Sequence, residues 1–339
     1  MRENVTSPWV LLLFLMLLLF IANLATGSVS IPPAEILRIL VTGSHDNPAW
    51  TEIVLNFRLT KALTCILAGS ALALAGLQMQ TLFRNPLAGP DVLGLSAGAS
   101  LAVAILFMAP AATLGIAEHL PPLVVSVAAT AGSLTVFLIM ILVARRLPDP
   151  ASLLIVGLMV GALAASVVSV LQYISKAEHL QVFVIWTMGS LGGLNWNELL
   201  ILALALVVGS ALAFSAIKPL NAWLLGERYA LSLGINTRRT RLIAILSASV
   251  LTGAVTAFCG PIAFVGLAVP HLTRLLIRTH NHKALIPAVA LGGAALMLFC
   301  DIVAQLPGST YILPINALTA LIGAPVVIWI ILQNKSIRI

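Results

Sequence analysis

Acidic side chains could bind cations or move protons, and this sequence has few of them. Only Asp301 lies well inside an apolar run, and Asp91 lies at the edge of one. A carboxylate within a bilayer is costly and usually functional, but one such acid gives little basis for ion coupling. A hydrogen bond from Asp301 to a neighbouring helix explains it at least as well. The eleven acids are Glu3, Glu35, Asp46, Glu52, Asp91, Glu118, Asp149, Glu178, Glu198, Glu227 and Asp301.

Motifs for ATP hydrolysis and zinc-dependent hydrolysis are missing from the sequence. There is no GxxxxGK[ST] phosphate loop and no HExxH pair, so we do not expect the chain to hydrolyse ATP itself. The cysteines lie far apart in apolar surroundings, which predicts packing roles. The outer histidines His45, His119 and His179 are scattered. A metal or haem role stays open for them, but scattered loop histidines are more often solvated, and we expect these to be solvated. We therefore predict no catalytic residue, no metal site and no cofactor on this chain.

The composition explains why these groups are scarce. The chain has 339 residues, of which 60% are hydrophobic and 9% charged, and its mean hydropathy is +1.09. Soluble domains carry roughly 25% charged residues. We therefore predict an all-α integral membrane protein of about ten transmembrane helices forming a single transmembrane domain over residues 1–339. The predicted spans are 9–26, 59–83, 92–109, 122–143, 151–173, 197–216, 241–259, 261–279, 284–306 and 311–332.

The apolar run near the start resembles a signal peptide, but it is longer than a typical signal core, and many spans follow it. We interpret it as an uncleaved first span. Basic residues then set the orientation, since cytoplasmic loops are enriched in Lys and Arg. With both termini cytoplasmic, fourteen of the 18 basic residues lie inside, and the exceptions are Arg38, Arg58, Lys61 and Lys176.

Two segments are too short or too polar to span. Residues 181–191 predict an interfacial or re-entrant helix on the outer side. Residues 220–240 form the longest inner stretch and predict two short helices separated at Gly226 and Gly234, with a basic end. A docking surface for a soluble partner would look like this, and an ordinary basic loop explains the segment about equally well.

A faint internal repeat relates residues 58–98 to residues 238–274. Each unit has a basic start, a span rich in small residues and a stretch broken by Pro and Gly, NPLAGPDVLG in one and GPIAFVGLAVP in the other. The units enter the membrane from opposite sides, and inverted repeats with broken helices are typical of transporters. Small residues along the helices indicate close packing and a neutral path suited to a bulky substrate.

The motifs resemble the FecCD/BtuC-type permease family, the membrane subunits of ABC importers for iron siderophores, haem and vitamin B12. The matching stretches run from the second span to the last: RLTKALTCILAGSALALAG, QTLFRNPLAGPDVLGLSAGA, WTMGSL, LLGERYALSLGINTRRTR, GPIAFVGLAVPHLTR and LTALIGAPVVIWIIL. The resemblance implies an inverted-repeat BtuC-like fold in a bacterial inner membrane. It also implies a second permease copy, two ATP-binding subunits that use ATP and Mg, and a substrate-binding protein outside.

The resemblance assigns roles to particular residues. Residues 220–240 become the coupling helices, with ATPase contacts expected from Leu224, Leu225, Gly226, Glu227, Arg228, Ala230, Leu233 and Gly234. Arg58 and Lys61 are expected to meet acidic residues of the binding protein, and membrane anchoring is the alternative for both. The expected pathway or gate residues are Asn85, Pro86, Leu87, Pro90, Gly94, Gly260, Pro261, Gly266 and Pro270.

Some positions depart from the family pattern. Gln305 stands where many members have arginine, and Ile312 and Asn316 stand where many have glutamate and glycine.

No local sequence motif identifies the substrate, so we choose a ferric siderophore because it is the commonest assignment in the family. Haem and cobalamin stay open, as does pairing with an identical or a related chain, although we favour two identical copies. The competing hypotheses are an ion-driven transporter, which the shortage of acids disfavours, and a membrane enzyme.

Overall fold

In the computed structural model, residues 6–109, 121–147, 149–305 and 312–333 are described. Every regular element in these ranges is helical. The α-helices are α1 (Thr6–Ala25), α2 (Pro33–Thr42), α3 (Pro48–Glu52), α4 (Leu59–Leu82), α5 (Leu95–Met108), α6 (Pro122–Arg146), α7 (Pro150–Ile174), α8 (Ala177–Thr187), α9 (Trp196–Ser215), α10 (Ile217–Trp223), α11 (Glu227–Ser232), α12 (Thr237–Cys259), α13 (Val265–Ile277), α14 (His282–Ala304) and α15 (Ile315–Gln333). A π-helical turn (Ile53–Arg58) leads into α4, and a 3-10 turn (Pro90–Leu93) precedes α5.

The predicted spans correspond to ten of these helices. Within the described ranges, seven are long and apolar enough to cross a membrane, namely α1, α4 together with α3 and the π-helical turn, α6, α7, α9, α12 and α14. Three shorter apolar helices, α5, α13 and α15, fill the remaining predicted places. The chain is therefore an all-helical, multi-pass membrane protein. Both chain ends lie outside the described residues, so the cytoplasmic termini stay a prediction, and we use the charge-based orientation to name the inner and outer ends of the bundle.

The central helix is α4, whose side chains are buried along most of its length. Its glycines allow two close crossings. A Cβ atom at Gly69 would overlap the carbonyl oxygen of Gly293 in α14, and one at Gly76 would overlap that of Gly266 in α13. These contacts agree with the predicted close packing through small residues, because only glycine lets the backbones approach so far.

The outer connections contain helices that the sequence reasoning missed. The ten-residue α2 packs Ile36 and Ile39 inward and is capped by Gly43, which has a left-handed conformation (φ 72°). The short α3 is capped by Asn47, whose side chain accepts a hydrogen bond from the Ala49 amide at 3.1 Å. The predicted interfacial segment 181–191 becomes α8, which begins four residues earlier, at Ala177, and ends at Thr187.

Candidate functional site

The two broken segments of the repeat meet inside the bundle. Pro90 of the inner segment packs so closely on Gly266 of α13 that a Cβ atom there would lie 2.5 Å from the proline Cδ. Beside this contact is a cavity of about 420 Å³, whose wall includes Asp91, Gly94 and Pro261. The cavity is also lined by Ser96, Ala97, Gly157, Leu158, Gly161, Ile262, Ala263 and Asn316. Segments that enter from opposite sides thus share one central space.

The inner broken segment is held in a fixed turn. Gly94 has a left-handed conformation (φ 75°), its amide donates to the Asp91 carbonyl at 2.9 Å, and an added Cβ would lie 3.0 Å from the Gly157 carbonyl. The Ser96 hydroxyl donates to the Asp91 carboxylate at 2.6 Å. The stretch 94–98 reads GLSAG, a G-x-S-x-G pattern that the sequence reasoning overlooked. Ser96 lies in the first turn of a helix that follows a 3-10 turn rather than a strand, and no histidine of the described ranges contacts its hydroxyl.

The outer broken segment follows α12 and is held by α8 and α15. Gly260 has a positive φ of 74°, and a Cβ there would lie 2.7 Å from the Trp186 carbonyl. The Ser190 amide donates to the Cys259 carbonyl at 2.8 Å. Asn316, one of the departures from the family pattern, accepts from the Ala263 amide at 3.1 Å. The segment is therefore fixed by neighbours on both sides.

The predicted pathway residues divide into four groups. Gly94 and Pro261 line the cavity, and Pro90, Gly260 and Gly266 shape the contacts beside it. Pro270 is buried within α13. The remaining three form the turn after α4, where the Asn85 side chain accepts from the Leu87 amide at 2.9 Å; they are Asn85, Pro86 and Leu87.

The inner segment predicted to hold two short helices contains α10 and α11. Gly226 (φ 114°) separates them and Gly234 (φ 77°) follows α11, as the prediction placed them. The predicted range needs two corrections, because α10 begins at Ile217, before residue 220, and residues 237–240 form the first turn of α12, where Asn236 caps the helix. Ala230 is fully buried and Leu224 and Glu227 are half-buried, whereas Arg228 is exposed.

Large apolar side chains are exposed on and beside α11, beyond the span of α9 and next to the exposed Arg228. We define the α11 patch as Tyr229 and Leu231 of α11 together with Leu225 and Leu233, which flank the helix. The leucines are 54–66% exposed. An exposed apolar patch outside the bilayer usually marks a protein contact.

Two sets of contacts anchor α10 to the central helices. The Trp223 indole donates to the Leu82 carbonyl at 3.1 Å. The Asn221 side-chain oxygen accepts a hydrogen bond from the His282 backbone amide at 2.9 Å and lies 2.7 Å from Nδ1 of the His282 ring. The other ring nitrogen of His282 lies 2.9 Å from the Thr81 hydroxyl. These contacts tie α10 to the inner ends of α4 and α14.

A separate contact anchors α11 to α12. Arg241 pairs with Glu227 at 3.0 Å, and the same guanidinium donates to the Leu147 carbonyl at 3.2 Å. It also lies over the Trp223 ring, 5.9 Å from the centroid. One side chain thus connects α11, α12 and the connection between α6 and α7. Sequence reasoning missed this pair, because Arg241 was counted only as a basic residue.

Arg58 and Lys61, the residues expected to meet the binding protein, are held within the chain. Arg58 is 7% exposed, and its guanidinium donates to the Leu24 carbonyl at 3.0 Å and to the Val29 carbonyl. Lys61 pairs with Asp301 at 3.0 Å. The docking role stays a prediction for both, and the contacts show a structural role beside it.

Asp301 is the centre of a buried polar cluster at the outer end of α14. Its carboxylate accepts from Asn23 and from Gln305, each at 2.8 Å, in addition to the Lys61 pair. This connects α1, α4 and α14, which agrees with the hydrogen-bonding role considered for Asp301. Gln305, where the family often has arginine, belongs to the same cluster.

The histidines differ from their expected solvated state. His179 is buried in α8, and His45 pairs with Glu35 at 3.0 Å and stacks on Trp50. The prediction of solvated outer histidines is therefore wrong for His179, because α8 packs that face on the bundle. His119 lies outside the described residues.

Known proteins resemble this chain over nearly its whole length. The FecCD transport family matches residues 15–333. The chain is 37% identical to the hemin transport system permease protein HmuU of Yersinia pestis, over 98% of each chain. It is 36% identical to the vitamin B12 import system permease protein BtuC of Vibrio parahaemolyticus, over 97% of this chain and 95% of that protein. A solved structure described as an inward-facing conformation of a metal-chelate type ABC transporter matches with a TM-score of 0.81 and 29% identity, over 95% of this chain and 97% of the other.

These matches agree with the broken, inverted segments around the cavity and with the absence of ATPase motifs from the sequence. The chain belongs to the FecCD transport family and is a permease subunit of an ABC importer, a subunit that does not itself catalyse a reaction.

Proposed function

We propose that this chain carries a large metal chelate across a bacterial cytoplasmic membrane as one of two permease copies. Two ATPase subunits on the inner side, using ATP and Mg, would supply the energy, and a binding protein on the outer side would deliver the chelate. The relatives named for hemin and vitamin B12 support these two substrates over the ferric siderophore chosen from frequency. No cofactor is needed on this chain, because the chelate is cargo.

The α11 patch carries the proposal of an ATPase partner. Its apolar side chains are exposed beyond the spans, whereas Ala230 and the Glu227–Arg241 pair fix the helix to the bundle. A soluble subunit would bury the patch. Movement of α11 would then pull on α12 through Arg241, and movement of α10 would reach α4 and α14 through Asn221 and Trp223. The surface that contacts the ATPase would also include Leu224, Gly226, Arg228 and Gly234.

The cavity supports a path that opens alternately to each side. Its walls come from segments that are broken by Gly and Pro, where irregular backbone is tolerated because it lines a cavity. Leu158 of α7 lines the cavity and is 48% exposed, so one copy leaves this wall open. A second copy would close it, and two identical chains suffice because the same surface serves both.

Transport in vesicles tests this proposal. The chain would be reconstituted with its ATPase and binding protein, and ATP-dependent uptake of vitamin B12, haem and a ferric siderophore would be compared. The double variant Leu231→Ser with Leu233→Ser removes apolar side chains from the α11 patch. It should keep the fold but lose ATPase binding and uptake.

Val41→Ser is the matched control, because Val41 is 78% exposed on the outer helix α2 and should not affect ATPase binding. Uptake of one chelate that requires ATP and an intact α11 patch would support the proposal. Uptake without ATP that follows a proton or sodium gradient would refute it, and Asp301 would then be the first residue to mutate.

A further inference from the structure

We propose that Gln80 of α4 is a positioning residue for transport, because it bridges the proline break in α13 and passes the movement of α4 to the wall of the central cavity. This inference rests on the proposed function, since it concerns how movement driven by the ATPase subunits reaches the cavity.

Pro270 interrupts the backbone hydrogen bonds of α13. It lies inside the helix, and a proline has no N–H group to donate to the carbonyl four residues earlier, which is that of Gly266. Both residues are buried, and a buried carbonyl without a donor is costly. The Gly266 carbonyl therefore needs a donor from outside the helix.

The side chain of Gln80 supplies this donor from α4. It is buried, and its Nε2 donates to the Leu267 carbonyl at 3.0 Å and to the Gly266 carbonyl at 3.4 Å. Its Oε1 accepts from Nη1 of Arg274 at 2.8 Å. Because an arginine only donates, Oε1 must face Arg274, and the nitrogen must face the carbonyls. These three contacts, which we call the Gln80 bridge, hold α13 on both sides of Pro270.

The two halves of α13 pack on different parts of the protein. In the first half, Gly266 packs on Pro90 beside the cavity. In the second half, Ile277 packs with Leu12 of α1 and Ala288 of α14. Sharp bends in helices occur at prolines. A bend at the proline of α13 would therefore move the cavity wall while the second half stays against α1 and α14.

Gln80 also lies on the path from the ATPase side. The Trp223 indole of α10 donates to the carbonyl of Leu82, which lies two residues after Gln80 in α4. Movement of α10 would displace this end of α4, and the Gln80 bridge would move the first half of α13 with it. Without the bridge, α4 and the cavity wall would move independently, and ATP would be hydrolysed with little transport.

The test compares two glutamines of α4 in vesicles that hold the whole importer. Gln80→Leu keeps the approximate size of the side chain and removes the Gln80 bridge. Gln78→Leu is the matched control, because Gln78 is also buried but donates to Ser247 of α12 at 2.8 Å. ATP hydrolysis and ATP-dependent uptake of vitamin B12 and haem would be measured together, which gives the amount of chelate transported per ATP.

We expect Gln80→Leu to hydrolyse ATP within about twofold of the wild type but to transport about tenfold less chelate per ATP, because losing one or two hydrogen bonds shifts the balance between two conformations by about that factor. Gln80→Glu keeps the contact with Arg274, but its ionised carboxylate cannot donate to the two carbonyls. Its transport per ATP should therefore also fall. Gln78→Leu should transport as much chelate per ATP as the wild type.

A second measurement tests the bridge without transport. Pro270→Ala restores an N–H group that can donate to the Gly266 carbonyl. Gln80→Leu should therefore lower the melting temperature by only about half as much, or less, when Pro270→Ala is also present. An equal fall with and without Pro270→Ala would refute the inference, because the carbonyl would then not depend on Gln80.

Unchanged transport per ATP in the Gln80 variants, or an equal fall in Gln78→Leu, would also refute the inference, because Gln80 would then only pack in the core. If Gln80→Leu does not fold, Gln80→Glu decides, since it keeps the contact with Arg274. If the wild type takes up neither chelate with ATP, the proposed function fails, and the melting temperatures still test the Gln80 bridge.

Discussion

Replacing Lys61 by methionine separates a structural role from a docking role. At 3.0 Å and an effective dielectric constant of about 20, the attraction between Lys61 and Asp301 is about 5 kcal/mol before the cost of desolvating both groups. Removing one member of a buried pair costs about 3–5 kcal/mol in measured cases. Asp301 keeps its hydrogen bonds from Asn23 and Gln305, so we expect a loss near the lower end of that range.

The assay is thermal unfolding of the purified protein in detergent, together with the affinity of the reconstituted complex for the binding protein. A loss of about 3 kcal/mol should lower the melting temperature by roughly 5 °C or more. Arg38→Met is the matched control, because Arg38 is 55% exposed and its 3.7 Å pair with Glu35 is on the surface. That variant should change stability by less than about 0.5 kcal/mol.

A double-mutant cycle with Asp301→Asn completes the measurement. If the Lys61–Asp301 pair stabilises the chain, the double variant should lose less free energy of unfolding than the two single variants lose together, by at least about 1 kcal/mol. The reasoning is refuted if Lys61→Met melts like the wild type and yet loses affinity for the binding protein. Lys61 would then be a docking residue, as the family resemblance implies, and the buried pair would contribute little.

Two further predictions test the helix crossing and the cap of α7. Gly76→Ala should yield no folded protein in size-exclusion chromatography, because the added Cβ would overlap the Gly266 carbonyl. The control Gly161→Ala should fold, since the nearest atom to its added Cβ is 3.9 Å away. Equal yields of the two variants would contradict the close crossing of α4 and α13. Hydrogen bonds from the Ser152 amide and hydroxyl hold the pKa of Asp149 below its usual range. The ionised Asp149 carboxylate therefore stabilises the folded protein fully when the pH is above the usual pKa of an aspartate. This stabilisation is lost as the pH falls through the lowered pKa of the folded protein. Asp149→Ala should therefore melt lower than the wild type at neutral pH, by a difference that narrows below about pH 4; a difference independent of pH would contradict the charged cap.

The sequence determined the features that depend on the chain locally. Ten apolar runs were predicted to be helices, and seven of these helices are long enough to cross a bilayer, which sets a length that can be counted, whereas α5, α13 and α15 are shorter. The two short inner helices were also predicted, because Gly226 and Gly234 supply the positive φ that ends such helices. The helices α2 and α3 were missed, since segments of ten and five residues have too little periodicity to recognise.

Only the tertiary structure decided which distant groups meet. Asp301 accepts a hydrogen bond from Asn23, 278 positions away, and no local pattern in the sequence specifies that contact. Arg58 and Lys61 carried the charge expected of docking residues, but the fold directed both toward partners within the chain. The repeat predicted two broken segments, whereas the packing of Pro90 on Gly266 brought them to one cavity and exposed Asp91 there. Many polar residues of the sequence could pair with one another, and long-range packing decides which of them meet, because each buried polar group needs a hydrogen-bond partner.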